Sequence, residues 1–428
     1  MRKIIYIYSI LLFCCTITFA QQTPASPQQD AFTIIGATAH IGNGTVIENS
    51  IIIVENGKII NCVDGTLAKI PYKGNIIQAQ GKHVYPGFIA SNTTLGLVEI
   101  NSVNASNDQR EMGSMLPHIR SLIAYNAESK VVESMRPNGI LIAQVKPNGG
   151  RISGTSSIMQ LDAWNWEDAA IKADDGVHLN WPSSFTRGRW WLGESRKPNN
   201  NYSKQVGDIA NFVKESKAYL NGKRTTKNLP YDAMEGLFNG TQKLFVHVDE
   251  EKGITDAVNF AKLNGMSMVV VGGYQAYLVA SMLKSNNVPV LINRTHTVPA
   301  TEDQDYDLPY KNPKLLADAG VLVGIHGHNS NFQTRNLPFY AGQVVGQGMS
   351  KEDALKLITS NVAKILGISK QVGTLESGKD ATLFISEGDA LDMRTNKLTH
   401  AFINGRAISL ETHQTKLWKR YSNKYKRN

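Results

Sequence analysis

The chain is poor in cysteine. Cys14, Cys15 and Cys62 are the only three in 428 residues, and the first two lie in a leader-like stretch at the N-terminus. With Cys62 alone beyond that stretch, an internal disulfide and a cysteine-based metal cluster are both excluded. Long apolar runs are missing as well. The opening "MRKIIYIYSILLFCCTITFAQQ" holds an apolar run shorter than the roughly 20 residues a membrane span needs. Its order of two early basic residues, an apolar run and Thr18-Phe19-Ala20 is that of a cleavable secretory signal. Residues 1–20 are therefore read as a signal peptide, and the remainder as an exported chain, periplasmic or secreted, with no transmembrane span after cleavage.

Charge of one sign is also absent from the body. The formal net charge of +9 comes from 45 basic and 36 acidic residues. Arg2 and Lys3 supply two of these charges, and Lys416, Lys419, Arg420, Lys424, Lys426 and Arg427 supply six, which leaves +1 elsewhere. A near-neutral body excludes nucleic acid as the expected partner. The basic tail at 411–428 is either a solvated end or a contact for an anionic membrane surface or an acidic partner. Apolar residues at 42% and charged residues at 19% are ordinary for a folded globular protein.

Residues 21–30 form a polar linker. From 31 to 85, short β-branched runs broken by Asn-Gly turns read as antiparallel hairpins. The same texture returns at 371–410 in "GTLESGKDATLFIS" and "LTHAFINGRAI", so the two chain ends are expected to build one small β-sandwich. The middle, 86–370, alternates differently. "KLFVHVD", "SMVVVGG", "PVLINRTH" and "GVLVGIHGH" are short apolar runs separated by helical stretches, the pattern of parallel strands buried on both faces. With "HVYPGFIAS", "GILIAQVKP" and "SSIMQLDA" the strand count approaches that of a (β/α)8 barrel. "SKEDALKLITSNVAKILGI" predicts one helix, capped by Ser350 with Asp353 in its first turn.

Functional groups of a barrel stand at the C-terminal ends of its strands. Those ends carry Asn92, Thr94, Gln160, His247, Gly272, His296, His326 and His328. His247, His296, His326 and His328 form a candidate metal set, since imidazole suits zinc and similar ions; each alone reads equally as a hydrogen-bonded polar residue. Arg151, in the Gly-rich "KPNGGRISGTSS", joins Asn92, Thr94, Gln160 and Gly272 as a ligand-binding candidate. Asp303, Asp305 and Asp307 have calcium-like spacing but lack the glycine and closing glutamate such a loop needs. Trp164, Trp166, Trp181, Trp190 and Trp191 crowd an insertion at about 162–200, suited to packing, an interface or a ligand wall.

The exported chain, from about Ala31 to about Leu410, resembles the amidohydrolase superfamily, near its imidazolonepropionase-like branch. The resemblance is carried by "GKHVYPGFIA" and by "ITSNVAKILGISKQVGTLESGKDATLFIS". It implies a (β/α)8 barrel with a β-sandwich and hydrolysis of C–N bonds with one or two divalent metals, zinc foremost. The family's first strand reads Asp-x-His-x-His, where this chain has Ala90, Asn92 and Thr94. By the same resemblance the bridging lysine falls at Gln160, the fifth-strand histidine at His247, the sixth-strand histidine at Gly272 and the general-base aspartate at His328.

Two readings follow. One is a hydrolase of non-peptide or cyclic amides with an altered metal site. The other is an inactive homologue with no metal, a binding or structural subunit that forms a homo-oligomer or pairs with an active relative. Both expect a small-molecule ligand at the barrel mouth.

Overall fold

In a computed structural model the described residues are 23–186, 188, 196–224, 226–300, 304–327 and 331–425. The N-terminal hairpins form as expected: β1 (Phe32–His40), β2 (Val46–Glu55) and β3 (Lys58–Asp64) pair antiparallel. β4 (Asn75–Gln78) and β5 (His83–Pro86) then run parallel to β1 along its other edge.

The barrel begins directly after Pro86. Its strands in order around the sheet are β6 (Phe88–Thr93), β7 (Ile140–Val145), β8 (Ile152–Gln160) and β9 (Ala170–Asn180). A two-stranded ribbon of β10 (Phe185–Thr186) and β11 (Lys197–Pro198) follows β9. The barrel then continues with β12 (Lys243–Val248), β13 (Met268–Gly272), β14 (Val290–Ile292) and β15 (Val323–Ile325). The Gly327 N–H donates to the Ser91 carbonyl at 2.8 Å, which draws the last strand toward the first. Residues on alternate positions point inward, and Ile89, Ile142, Ile158, Phe245, Val269 and Leu291 fill the lower barrel.

One strand departs from the expected parallel order. β8 pairs antiparallel with both β7 and β9, so seven strands run toward the mouth and one runs away. The connections explain it. Only the short turn at 146–151 joins β7 to β8, and a parallel return needs a crossover of a dozen or more residues.

The segment after Ser350 also differs from the single helix expected. It splits into Lys351–Lys356 and Ser360–Leu366. The Ser350 cap is present, its hydroxyl accepting from the Asp353 N–H at 3.0 Å. The break has a cause in the barrel: the Leu357 and Ile358 carbonyls accept from the Ile325 and Ile89 N–H groups at 2.8 and 2.9 Å. Those carbonyls serve the ends of the strands rather than a helical ladder.

The chain returns to the small sheet with β16 (Leu383–Ser386), β17 (Leu398–Ile403) and β18 (Arg406–Ala407). β16 joins β5 antiparallel, and strands from both chain ends thereby share one hydrogen-bonded network over its own apolar cluster. A buried ion cluster ties this sheet to the barrel floor. Asp162 lies 3.1 Å from both Arg136 and Arg406, and Arg406 also donates to Gln160 at 3.1 Å.

Candidate functional site

The C-terminal ends of β6, β12, β13, β14 and β15 open into a cavity of about 460 Å³. Asn92, His247, Gly272, Asn293 and His326 stand at its strand ends, with Trp181, Phe185 and Tyr274 among its walls. Trp181 is thus the one tryptophan of the insertion that borders the cavity among the described residues; its Nε1 donates to the Tyr202 hydroxyl at 3.1 Å. Trp164 is exposed and Trp166 packs against the core. Trp190 and Trp191 lie outside the described residues.

Below the cavity the barrel interior is polar and internally bonded. Asn92 sits in the left-handed region at φ 54°, which asparagine tolerates better than most residues. Its N–H donates to the Gln144 side-chain oxygen at 3.0 Å, and its amide nitrogen lies 3.4 Å from His326 Nδ1. Gln144 in turn donates to Asp175 at 2.8 Å, and Ser156 donates to the same carboxyl at 2.7 Å. Burial raises the Asp175 carboxyl to about 6 despite those bonds.

On β9 and β12, His178 stacks over Phe245 at 4.8 Å and meets His247, Nδ1 to Nε2, at 2.9 Å. Gly176 makes this possible, since a Cβ there would stand 2.4 Å from the Phe245 ring. Both imidazoles are held well below the usual histidine range, first by burial and then by the Lys146 charge. Lys146 follows β7 two residues past Gln144 and shares its inward side. Burial pushes its amine down to about 7, and its side chain donates to Asn148.

The expected site residues therefore divide. Asn92, His247, Gly272 and His326 meet at the cavity. Thr94 is buried but outside the lining. His296 is exposed and also outside it, its ring 6.5 Å from Tyr310. Arg151 stands at the mouth end of reversed β8 and donates to the Asn180 carbonyl at 2.8 Å, beside the cavity rather than in it. Gln160 does not belong to the mouth. Because β8 runs backwards, Gln160 ends at the opposite face, bonded to Arg406 and to the Asp168 carbonyl. Counted around the barrel, the fourth strand is β9, and its inward residue beside His247 is His178. His328 lies outside the described residues.

A catalytic metal needs about three protein donors and an open position. Among the described residues no three His, Cys, Asp or Glu side chains are arranged to hold one. His247 Nε2 already faces His178, His326 Nδ1 faces the Asn92 amide, and Lys146 sets a cationic group near the same imidazoles. The described donors do not fit the ion that the resemblance implies.

Comparison with known proteins shows what the chain is similar to. The profile of the Amidohydrolase family matches residues 208–408. Amidohydrolase tasK of Hapsidospora irregularis is 34% identical over 120 residues, which is 26% of this chain and only 12% of that protein's length. Imidazolonepropionase of Thermoplasma volcanium is 23% identical over 419 residues, 90% of this chain and 98% of that one. The crystal structure of an amidohydrolase from Thermotoga maritima MSB8 superposes with a TM-score of 0.79 at 22% identity, covering 88% of this chain and 99% of that chain. A prolidase complexed with N-methylphosphonate-L-proline aligns at a TM-score of 0.55 and 15% identity, covering 89% of this chain and 99% of the other.

Proposed function

We propose that the chain is a member of the amidohydrolase superfamily, whose family model matches residues 208–408, and that it binds a small molecule bearing an amide or cyclic amide in the barrel mouth and hydrolyses the C–N bond. The observation that carries this reading is the cavity itself, with His247, His326 and Asn92 on its floor and aromatic walls around it. A cavity of about 460 Å³ lies within the range of small-molecule sites. The His247 imidazole, kept uncharged by burial, supplies a proton acceptor at neutral pH, and Trp181 and Tyr274 supply flat apolar walls for a planar amide.

The His178–His247 bond decides what His247 does. If His247 Nε2–H donates to His178 Nδ1, the His247 Nδ1 lone pair is left as the base that takes a proton from water. If His178 donates instead, that lone pair is lost and His247 offers only an N–H to a ligand. The second arrangement supports a non-catalytic binding homologue, alone or as the subunit of an active relative. One observation favours it: His178 Nε2 is buried with no hydrogen-bond partner among the described residues, and a buried unpaired N–H is the costlier orphan. Two-bond ¹H–¹⁵N correlation of the histidine rings tests the choice. A protonated Nε2 on His247 supports the hydrolase; a protonated Nδ1 on both His178 and His247 supports the binding homologue and removes the proposed base.

A further inference from the structure

We infer that the C-terminal helix His413–Tyr425 is a docking surface for an anionic phospholipid bilayer. The helix has no buried residue. Trp418, Tyr421 and Tyr425 recur at i, i+3 and i+7 and therefore share one stripe. They are 67%, 49% and 62% exposed, although they are the helix's largest rings. No acidic residue lies between His413 and Tyr425, whereas Lys416, Lys419, Arg420 and Lys424 occupy the remaining faces.

Internal pairing accounts for only part of this charge. Glu411 lies 2.9 Å from Lys419 and 3.9 Å from Lys416. Arg420 and Lys424 form no ion pair with a described carboxylate; each sits only over the ring of the next tyrosine, at 5.9 and 5.3 Å. Tyrosine and tryptophan carry an apolar ring with a polar end and favour the boundary between water and lipid. A helix with aromatic residues on one side and cations on the other lies in the plane of an anionic bilayer surface. Charge complementarity thus names the occupant. No described helix is long and apolar enough to cross a membrane, so the contact is peripheral.

The first turn holds the helix in place. The His413 N–H donates to Glu133 at 2.6 Å, and the Lys416 N–H to the Thr412 carbonyl at 2.9 Å. Glu133 belongs to the short helix Lys130–Glu133 that precedes β7, on the side of the barrel where strands begin. A chain docked through this helix keeps its mouth free for small molecules.

The test is flotation of the full chain with phosphatidylcholine vesicles and with mixed phosphatidylcholine–phosphatidylglycerol vesicles. Binding is expected to the mixed vesicles at low salt, with loss at high salt as the charges are screened. The double variant Arg420→Glu/Lys424→Glu and the triple variant Trp418→Ser/Tyr421→Ser/Tyr425→Ser are each expected to weaken it by more than about tenfold. Unchanged thermal melting of both variants shows that the body remains folded. Failure to bind mixed vesicles overturns the inference. So does equal binding to phosphatidylcholine alone, or a concentration-dependent dimer abolished by the same substitutions, which assigns the face to a second copy.

Discussion

His178 on β9 and His247 on β12 share a hydrogen bond of 2.9 Å inside the barrel. The stack of His178 on Phe245 fixes one ring, and the bond then fixes the other. Replacing His178→Phe fills the same volume but leaves His247 unheld. Amide turnover is expected to fall by about 10²-fold with KM little changed, read from steady-state kinetics.

Lys146 gives a pH signature. Its amine titrates at about 7 in the folded chain against about 10.5 when unfolded. Below pH 7 both states carry the proton, and the full cost of burying the charge is present. Between pH 7 and about 10.5 the unfolded state holds more protons, so this residue's contribution to stability rises with pH. Lys146→Met removes the cost, and its unfolding free energy in urea should exceed wild type by up to about 4 kcal/mol at and below pH 7 and by the least near pH 10. A difference independent of pH contradicts this assignment.

Asp162 holds two arginines, Arg136 within the barrel and Arg406 from the small sheet. Asp162→Ala strands both partners, one of them fully buried. The expected loss is about 3–5 kcal/mol in chemical denaturation, far more than a surface pair gives.

Gly272 stands where a sixth-strand histidine would restore the family pattern, but the backbone resists it. Its φ is +98°, and a Cβ would lie 2.6 Å from Asp249 Oδ1. Gly272→His is therefore expected to destabilise the chain by about 1–3 kcal/mol and to bring no stoichiometric zinc. Thermal melting and elemental analysis check both halves.

The mouth was legible in the sequence wherever a strand ran the expected way. His247 and His326 follow apolar runs that end at the mouth, and the small sheet declared itself through β-branched runs and Asn-Gly turns. Gln160 misled because "SSIMQ" has the composition of any buried strand, and composition carries no direction; only its pairing shows β8 reversed. His178 was hidden for the same reason. Once β8 takes the third place, "GVHLN" becomes the fourth strand and its histidine turns inward. Lys146 had a weaker signal, a lysine closing the apolar run "ILIAQVK"; such a residue usually reaches solvent by snorkelling, whereas here it is buried and donates to Asn148.

The most direct measurement is release of amine from a panel of small linear and cyclic amides, followed by mass spectrometry, with wild type and His247→Ala side by side. The account expects at least one amide to be hydrolysed by wild type and spared by the variant, while Gln160→Ala, at the other end of the barrel, retains activity. Amides that bind without release of amine, or turnover that survives His247→Ala, contradict it.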